Sequence, residues 1–494
     1  MTRHVEVLIV GAGFAGVATA LALRAAGHDV AIVERGENVG GTWRDNRYPG
    51  VACDVPAHVY SLRTHPNPSW SREYAPGEEI RTYLEDVVAR EGIDRVIRFG
   101  TALTGAAWDG DEDCWRITLS GAEQLTAEVL VMATGRLSEP HIPLIPGLAT
   151  FPGPVHHTAR WDPSWDPCGR RVAVVGTGAS AIQLVPELVR RGAHVTLFQR
   201  TPAWVLPRGG RVYTDAERHA FAADPAALAG LRSTLMADDD ERFAARSGSL
   251  TPAAAAVRAA HAHRVAQVPD PVLRTALAPR TPFGCRRVLL SDDYYPALAS
   301  DAVDLEPSAL ADVEGGLLRA ASGRAYRDID MIALATGFDT SRPAYAPGIL
   351  GESGESLAAH WTDLMSAAAS TVVSGFPNLF LVGGPHSALS YTSSLLALEA
   401  QALFVRDALA MRPDHGGVLR VDAAQEAADT AAVRHRAAGR PWTSGCRTWY
   451  TDERNGNVSV LWPGTIDDLR GVLSTAVDRV FDSRSVAVTA QTAG

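Results

Sequence analysis

The sequence predicts an α/β fold built from two dinucleotide-binding domains of the Rossmann type. The main observation is a glycine-rich turn between an apolar strand and a helix, which occurs twice along the chain. The second observation is a pair of apolar strands, VLVMATG and DMIALATG, that each end in Ala-Thr-Gly. These strand ends indicate where the chain leaves each nucleotide-binding sheet.

The order of these signals places one domain inside the other. We expect the first domain over residues 1–145 and 345–494, and the second over residues 146–344. An alanine-rich stretch at about 212–278 favours helices, so it predicts a helical insertion in the second domain. A chain of 494 residues is long enough for this organisation.

The composition is typical of a soluble globular protein, with 46 % hydrophobic and 21 % charged residues. The net charge of −10 argues against a nucleic-acid partner, because phosphate binding needs a basic face. The apolar N-terminal segment is interrupted by glycines and runs into another apolar strand, so it predicts a strand, a turn and a helix rather than a signal peptide. We therefore expect a cytoplasmic protein without a membrane partner, either a monomer or a homodimer.

The cysteines are few and scattered, and they form no CxxC pair: Cys53, Cys114, Cys168, Cys285 and Cys446. This pattern favours reduced thiols over a disulfide framework. Cys53 and Cys285 stand beside candidate site residues, and we expect both to be separate packing residues. We expect no metal site, since His261 and His263 are two apart and would face different sides of a helix.

The first glycine-rich turn lies in VEVLIVGAGFAGVATALALRAAGHDVAIVER. Gly11 allows the tight turn, Gly13 lets the backbone approach a pyrophosphate, and Gly16 lets helix and strand pack closely. Glu34 ends the second strand, where a carboxylate can accept hydrogen bonds from ribose hydroxyls. The alternative is an ordinary glycine-rich turn, but the flanking strands and the acidic end favour dinucleotide binding.

The second turn has the same layout in RRVAVVGTGASAIQLVPELVRRGAHVTLFQRTP. Its fingerprint residues are Gly176, Gly178 and Ala181. Arg200 follows the second strand, where a carboxylate would repel a 2′-phosphate and a guanidinium can bind one. The first site therefore suits FAD and the second suits NADPH, unless Arg200 is only a surface residue. Further candidate cofactor contacts are Ser180, Thr201, Thr134, Gly135, Thr336 and Gly337.

Three stretches resemble the type I Baeyer–Villiger monooxygenases. FPGPVHHTARWD is similar to the fingerprint of that family, at Phe151, Gly153, His157, Trp161 and Asp162. GGTWRDNRYPGVACD resembles a second family pattern, with flavin-site candidates at Gly41, Thr42, Trp43, Tyr48 and Asp54. PFGCRRVLLSDDYYPAL resembles the segment that carries the active-site arginine of the family.

The resemblance implies an FAD- and NADPH-dependent enzyme that inserts one oxygen atom of O2 next to a ketone carbonyl. The product is an ester or lactone, formed through a C4a-peroxyflavin. By position, Arg287 resembles the catalytic arginine and Asp54 its carboxylate partner. Arg286 stands where the family commonly has a lysine that contacts the 2′-phosphate, so the charge is kept but the geometry differs.

The fingerprint stretch lies on the connection between the two domains. There Phe151 and Trp161 are expected to pack the linker and His157 to hydrogen-bond the backbone. We expect these residues to link domain position to cofactor state rather than to perform acid–base chemistry.

Three other functions share part of this pattern. A flavin monooxygenase that oxidises sulfur or nitrogen has the same two nucleotide sites, but Trp161-Asp162 favours carbonyl chemistry. A flavin disulfide reductase needs two thiols that can pair beside the flavin, and the sequence offers no CxxC. A nucleotide-binding sensor without chemistry would be indicated by loss of Arg287 or Asp54, and both are present.

Overall fold

The computed structural model of the chain describes residues 3–412 and 417–481. Its strands are β1 Arg3–Val10, β2 Val30–Val33, β3 Ile97–Arg98, β4 Leu103–Asp109, β5 Cys114–Leu119, β6 Gln124–Met132, β7 Val155–His157, β8 Arg171–Val175, β9 His194–Phe198, β10 Val205–Leu206, β11 Leu289–Leu290, β12 Val303–Glu306, β13 Leu310–Glu314, β14 Leu317–Ala320, β15 Ala325–Tyr326, β16 Met331–Leu334, β17 Ile349–Leu350 and β18 Leu379–Leu381. Its helices are α1 Phe14–Ala25, α2 Thr42–Asp45, α3 Gly77–Arg90, α4 Ala179–Arg190, α5 Asp215–Ala223, α6 Pro225–Met236, α7 Asp239–Arg246, α8 Leu250–Gln267, α9 Pro271–Ala276, α10 Tyr294–Leu298, α11 Leu357–His360, α12 Ser394–Leu409, α13 Ala423–Ala437 and α14 Ile466–Val480.

The larger sheet has the strand order β17-β4-β5-β6-β1-β2-β3. β6, β1, β2 and β3 run parallel, while β4, β5 and the start of β6 form an antiparallel meander. β18 pairs in parallel with the last residues of β6. The sheet thus combines strands from the beginning of the chain with two strands that return after residue 345.

The second nucleotide-binding unit has a five-stranded parallel sheet in the order β12-β9-β8-β16-β7. A separate three-stranded antiparallel sheet, β13-β14-β15, packs against it through a cluster that includes Phe198 and Tyr326. All of these strands lie between residues 155 and 334. This topology confirms the predicted fold class of one nucleotide-binding unit inserted in another, while the boundaries at 145 and 345 stay predictions.

The N-terminal strand and helix follow from local sequence. Val7, Leu8 and Ile9 of β1 are fully buried, as expected for a strand with parallel partners and cover on both faces. α1 begins directly after Gly13 and ends before Gly27, whose φ of +91° stops the helix. The segment that resembled a signal peptide is therefore a buried strand and a helix of the first unit.

The alanine-rich stretch forms five helices, α5 to α9. Three of these helices begin at a residue whose side chain caps the helix N-terminus: Thr214 for α5, Asp224 for α6 and Asp270 for α9. α7 packs its Phe243 ring against Tyr391 and Trp442, with ring centroids 5.4 and 6.4 Å apart. The insertion therefore rests on the returning part of the first unit. None of the helices in the described ranges is long and apolar enough to cross a membrane.

The expectation of five separate thiols is wrong. Cys285 and Cys446 form a disulfide that joins residues 161 positions apart, while Cys53, Cys114 and Cys168 are free. Spacing gave no sign of this pair, because the two cysteines meet only through the tertiary fold. The disulfide fixes the segment at 446 to the turn that carries Arg286 and Arg287.

Thiol counting tests this disulfide. Protein unfolded in the presence of an alkylating reagent and without reductant is expected to show three reactive thiols, and five after reduction. Cys446→Ser should show four under both conditions, because Cys285 then has no partner. Five reactive thiols in the unreduced wild type would contradict the pairing.

Candidate active site

A cavity of about 1530 Å³ lies where the carboxyl ends of the parallel strands in both sheets meet. It exceeds the usual range for one small ligand, so it has room for more than one. Nineteen of the predicted site residues line it: Gly11, Gly13, Glu34, Gly41, Thr42, Trp43, Tyr48, Asp54, Thr134, Gly135, Gly176, Gly178, Ser180, Arg200, Thr201, Arg286, Arg287, Thr336 and Gly337. The fold thus brings both glycine-rich turns and the Arg287 segment to one space.

The first turn is shaped for close approach to its backbone. A Cβ at Gly16 would lie 1.9 Å from the carbonyl oxygen of Gly11, so Gly16 serves helix packing and does not line the cavity. Gly13 and Gly41 face each other, and a Cβ at Gly41 would come within 3.2 Å of the Gly13 Cα. Two side-chain-free segments therefore border the cavity here, as a pyrophosphate site requires.

Glu34 is buried and already bound by the protein. Its Oε2 accepts from the Ala12 N–H at 2.8 Å, and its Oε1 accepts from the Gly36 N–H at 2.7 Å and from Arg44 at 2.6 Å. A carboxylate has about four acceptor sites, so a ribose hydroxyl can still bind. Arg44, which neutralises this carboxylate in the fold, was not predicted from the sequence.

The second turn repeats the first. A Cβ at Gly176 would lie 2.4 Å from the Ala335 carbonyl oxygen, whereas a Cβ at Gly178 would meet nothing within 4 Å. Gly178 therefore leaves open space beside the start of α4. Ala181 is fully buried in the core and does not line the cavity, in agreement with a packing role.

Arg200 and Arg286 lie beside each other at this second turn. Burial, and then the like charge of Arg200, lower the pKa of Arg286. The Arg286 Nε is buried without a hydrogen-bond partner, and neither guanidinium has a carboxylate within 4.0 Å in the described part of the chain. Two adjacent cations without a counter-charge fit a phosphate group.

Arg287 and Asp54 form a two-pronged ion pair across 233 residues of sequence. The Arg287 Nε donates to Asp54 Oδ2 at 2.6 Å, and its Nη2 donates to Oδ1 at 2.7 Å. Their side chains are 21 % and 28 % exposed, so the pair faces the cavity. Burial alone would raise the pKa of Asp54, but the charge and hydrogen bonds of Arg287 hold it below its ordinary value.

A third guanidinium, that of Arg246 at the end of α7, lies near this pair. Its Nη1 donates to the Ser390 carbonyl at 2.7 Å. Burial, and then the charge of Arg287, lower the pKa of Arg246 to about 10, so it stays protonated at neutral pH. Within residues 3–412 and 417–481 it has no carboxylate within 4.0 Å. The sequence did not point to Arg246, because the insertion reaches this site only in the fold.

The loop that carries Asp54 is fastened to the second unit by Gln183 of α4. The Tyr48 hydroxyl donates to Gln183 Oε1 at 2.7 Å, and the Gln183 Nε2 donates to the Ala52 carbonyl at 3.0 Å. A Cβ at Gly50 would lie 2.8 Å from the Gln183 carbonyl oxygen, so the loop lies directly on the helix. One side chain thus connects the second turn with the Asp54 loop.

The family-fingerprint residues lie outside the cavity. Phe151 and Trp161 are buried, and a Cβ at Gly153 would lie 2.4 Å from the Asp330 carbonyl oxygen. Asp162 accepts hydrogen bonds from the backbone and hydroxyl of Ser164. These four residues therefore shape the linker between the units.

His157 is held as a neutral ring by backbone groups. Its Nδ1 accepts from the Ala159 N–H at 3.1 Å, so its Nε2 donates to the Gly337 carbonyl at 3.0 Å. Burial lowers its pKa to about 4. Gly337 belongs to the Ala-Thr-Gly turn that follows β16 of the second sheet. His157 therefore connects the stretch between the two units to this turn.

Known proteins resemble the chain over nearly its whole length. A Baeyer–Villiger monooxygenase of Streptomyces coelicolor is 41 % identical over 473 residues, which are 95 % of this chain and 90 % of the relative. The chain belongs to the Baeyer–Villiger monooxygenase family. Another Baeyer–Villiger monooxygenase, from Pseudomonas aeruginosa, is 35 % identical over 99 % of this chain and 92 % of its own length. The family recognised from the sequence is therefore confirmed.

Two further comparisons agree with this family. Residues 8–208 match the family described as pyridine nucleotide-disulphide oxidoreductase. A solved structure of oxidized steroid monooxygenase bound to NADP superimposes with a TM-score of 0.85, at 27 % identity, over 97 % of this chain and 99 % of the other. Cyclohexanone monooxygenase from Rhodococcus sp. Phi1 bound to NADP+ gives a TM-score of 0.87 at 25 % identity, over 98 % and 99 % of the chains. Because Cys285 and Cys446 do pair, it is membership of this family, and not the lack of a cysteine pair, that speaks against a disulfide reductase.

Proposed function

We propose that this Baeyer–Villiger monooxygenase converts a ketone, O2, NADPH and a proton into an ester or lactone, NADP+ and water. The observation that carries the proposal is the Arg287–Asp54 pair, which faces a cavity shared by two dinucleotide turns. Two alternatives remain less favoured. Oxidation of sulfur or nitrogen does not explain the Trp161-Asp162 fingerprint, and a sensor without chemistry does not need the Arg287–Asp54 pair.

The lining residues fit both cofactors. FAD would be held by the backbone of residues 11–13 and 40–43, by Glu34, and by Thr134 and Gly135. NADPH would be held by the open turn at Gly178, with its 2′-phosphate between Arg200 and Arg286. NADP in the solved steroid and cyclohexanone monooxygenases supports this assignment. When bound, the two cofactors supply the hydride and the activation of O2.

Arg287 would stabilise the negative charge that develops on the former ketone oxygen. Its Nε and Nη2 are fixed by Asp54, and its Nη1 donates to the Leu389 carbonyl over a longer distance of 3.5 Å. Asp54 raises the pKa of Arg287 against the opposing effect of burial, so the guanidinium keeps its proton. A fixed, permanently charged donor is preorganised for an oxyanion.

Arg246 would act at longer range in the same process. Because Asp54 neutralises Arg287, the pair by itself carries no net charge. The protonated Arg246 therefore adds positive charge near Arg287. In a partly buried site this charge favours an anion more strongly than it would in water.

We also propose that the protein acts in the cytoplasm, as a monomer or a homodimer. The three free cysteines support this location. The Cys285–Cys446 disulfide argues against this location, since reducing compartments usually keep thiols reduced. Alkylation of the protein inside cells would show which redox state the pair has there.

Replacement of Arg287 tests the proposed function. Arg287→Ala is expected to retain FAD and to oxidise NADPH, yet to form ester at least about 100-fold more slowly, because the oxyanion loses its donor. The readouts are flavin content, NADPH consumption, hydrogen peroxide and ester yield. Arg327→Ala, at an exposed arginine outside the cavity, is the matched control. Undiminished ester formation by Arg287→Ala would contradict the role.

Replacement of Arg200 tests the phosphate site. Arg200→Ala is expected to raise the Michaelis constant for NADPH about 10- to 100-fold, since a charge-assisted hydrogen bond to phosphate is lost. NADH lacks that phosphate and serves as the internal control, so its constant should change little. The constants come from initial rates at saturating O2. An equal change for both nucleotides would remove this role of Arg200.

A further inference from the structure

Arg136 is a cavity-lining residue that the sequence did not point to. It follows Thr134-Gly135 directly, at the carboxyl end of β6. Its Nη2 donates to Ser387 Oγ at 2.7 Å and weakly to the Gly383 carbonyl at 3.3 Å. These two neutral acceptors hold one end of the guanidinium in place.

No carboxylate in the described part of the chain compensates the charge of Arg136. In the described ranges no carboxylate lies within 4.0 Å of it, and its Nε is buried without a hydrogen-bond partner. Burial lowers its pKa to about 10, so the side chain remains a cation at neutral pH. A half-buried cation without a counter-ion is unfavourable unless a ligand supplies the negative charge.

Arg136 lies on the same side of the cavity as the Arg287–Asp54 pair. Its partners Gly383 and Ser387 belong to the segment that also contains Leu389, whose carbonyl faces Arg287. Tyr60 lies near Arg136 and also near Asp54 and Arg287, and it lines the same cavity. A ligand whose reacting carbonyl is at Arg287 can therefore place a second polar group towards Arg136.

We propose that Arg136 binds an anionic group of the substrate, so that the preferred ketones carry a carboxylate at a distance from the reacting carbonyl. This inference rests on the proposed function, because it assigns the substrate class of the same site. Ser387 is already oriented for this arrangement: its hydroxyl donates to the Gly384 carbonyl, which leaves its oxygen to accept from Arg136. Arg136 and Arg287 would thus bind the two ends of an oxo acid.

A matched pair of substrates tests the proposal on the holoenzyme. The probes are 4-oxocyclohexanecarboxylate and the nearly isosteric neutral 4-oxocyclohexanecarboxamide, with lactone formation as the readout. The wild type is expected to favour the acid in kcat/KM by about 10-fold or more, since a charge-assisted hydrogen bond is at stake. Arg136→Leu should abolish or reverse the preference, and Arg136→Lys should restore part of it. Arg327→Leu is the matched control and should keep the preference.

A binding measurement separates this inference from the proposed function. Cyclohexanecarboxylate has no ketone, and its dissociation constant can be measured by calorimetry on the FAD- and NADP+-loaded protein. Arg136→Leu is expected to weaken its binding about 10-fold or more, while Arg327→Leu should not. If the wild type binds this acid through Arg136 but oxygenates no ketone, the proposed function fails and the anion site stands.

Two results would overturn the inference. One is equal use of acid and amide by the wild type, or an equal loss of both in Arg136→Leu. The other is an unchanged preference together with a fall in the flavin midpoint potential of Arg136→Leu, since the cation would then serve the cofactor and not the substrate.

Discussion

The site depends on the bidentate ion pair between Arg287 and Asp54. One partner lies in a loop of the first nucleotide-binding unit, and the other lies in the turn before β11, after the helical insertion. The pair joins residues 233 positions apart, so it forms only when the fold brings the two segments together. Gln183 holds the loop that carries Asp54, and the Cys285–Cys446 disulfide holds the turn that carries Arg287. Both supports connect different parts of the chain. The geometry of the Arg287–Asp54 pair therefore depends on how the two units are placed relative to each other.

The charge balance around this pair explains why a neutral ion pair can serve an anionic reaction. Desolvation of two charges is offset by their mutual attraction and their two hydrogen bonds, but the result is electrically neutral. The cations Arg246 and Arg136 add positive potential, one from the insertion and one from the end of β6. In the described part of the chain neither guanidinium has a carboxylate within 4.0 Å, so that potential is available to a ligand.

Much of this architecture was predictable because the residues that determine it are close together in the sequence. A glycine-rich turn needs positive φ at Gly11 and Gly176 and close packing at Gly16, and these demands fall on neighbouring residues. The contrast between Glu34 and Arg200 is equally local. The fingerprint from Phe151 to Asp162 identified the family although none of its five residues lines the cavity, because a linker shared by relatives is recognisable without touching a ligand.

The remaining features depend on tertiary contacts, which no local pattern encodes. Gln183 is one of several polar residues on α4, and only the loop lying on the helix gives it a role. The disulfide joins cysteines that spacing treats as unrelated. Arg246 and Arg136 are two of many arginines, and only the fold buries each of them without a carboxylate within 4.0 Å in the described part of the chain. Burial and missing partners are properties of the folded chain alone.

The most direct test of this account is to supply the purified FAD-loaded protein with NADPH, ¹⁸O2 and a set of cyclic ketones, and to analyse the products by mass spectrometry. We expect one molecule of lactone, containing one ¹⁸O atom, for each NADPH consumed. Full conversion of NADPH to hydrogen peroxide, with no labelled lactone from any ketone, would contradict it.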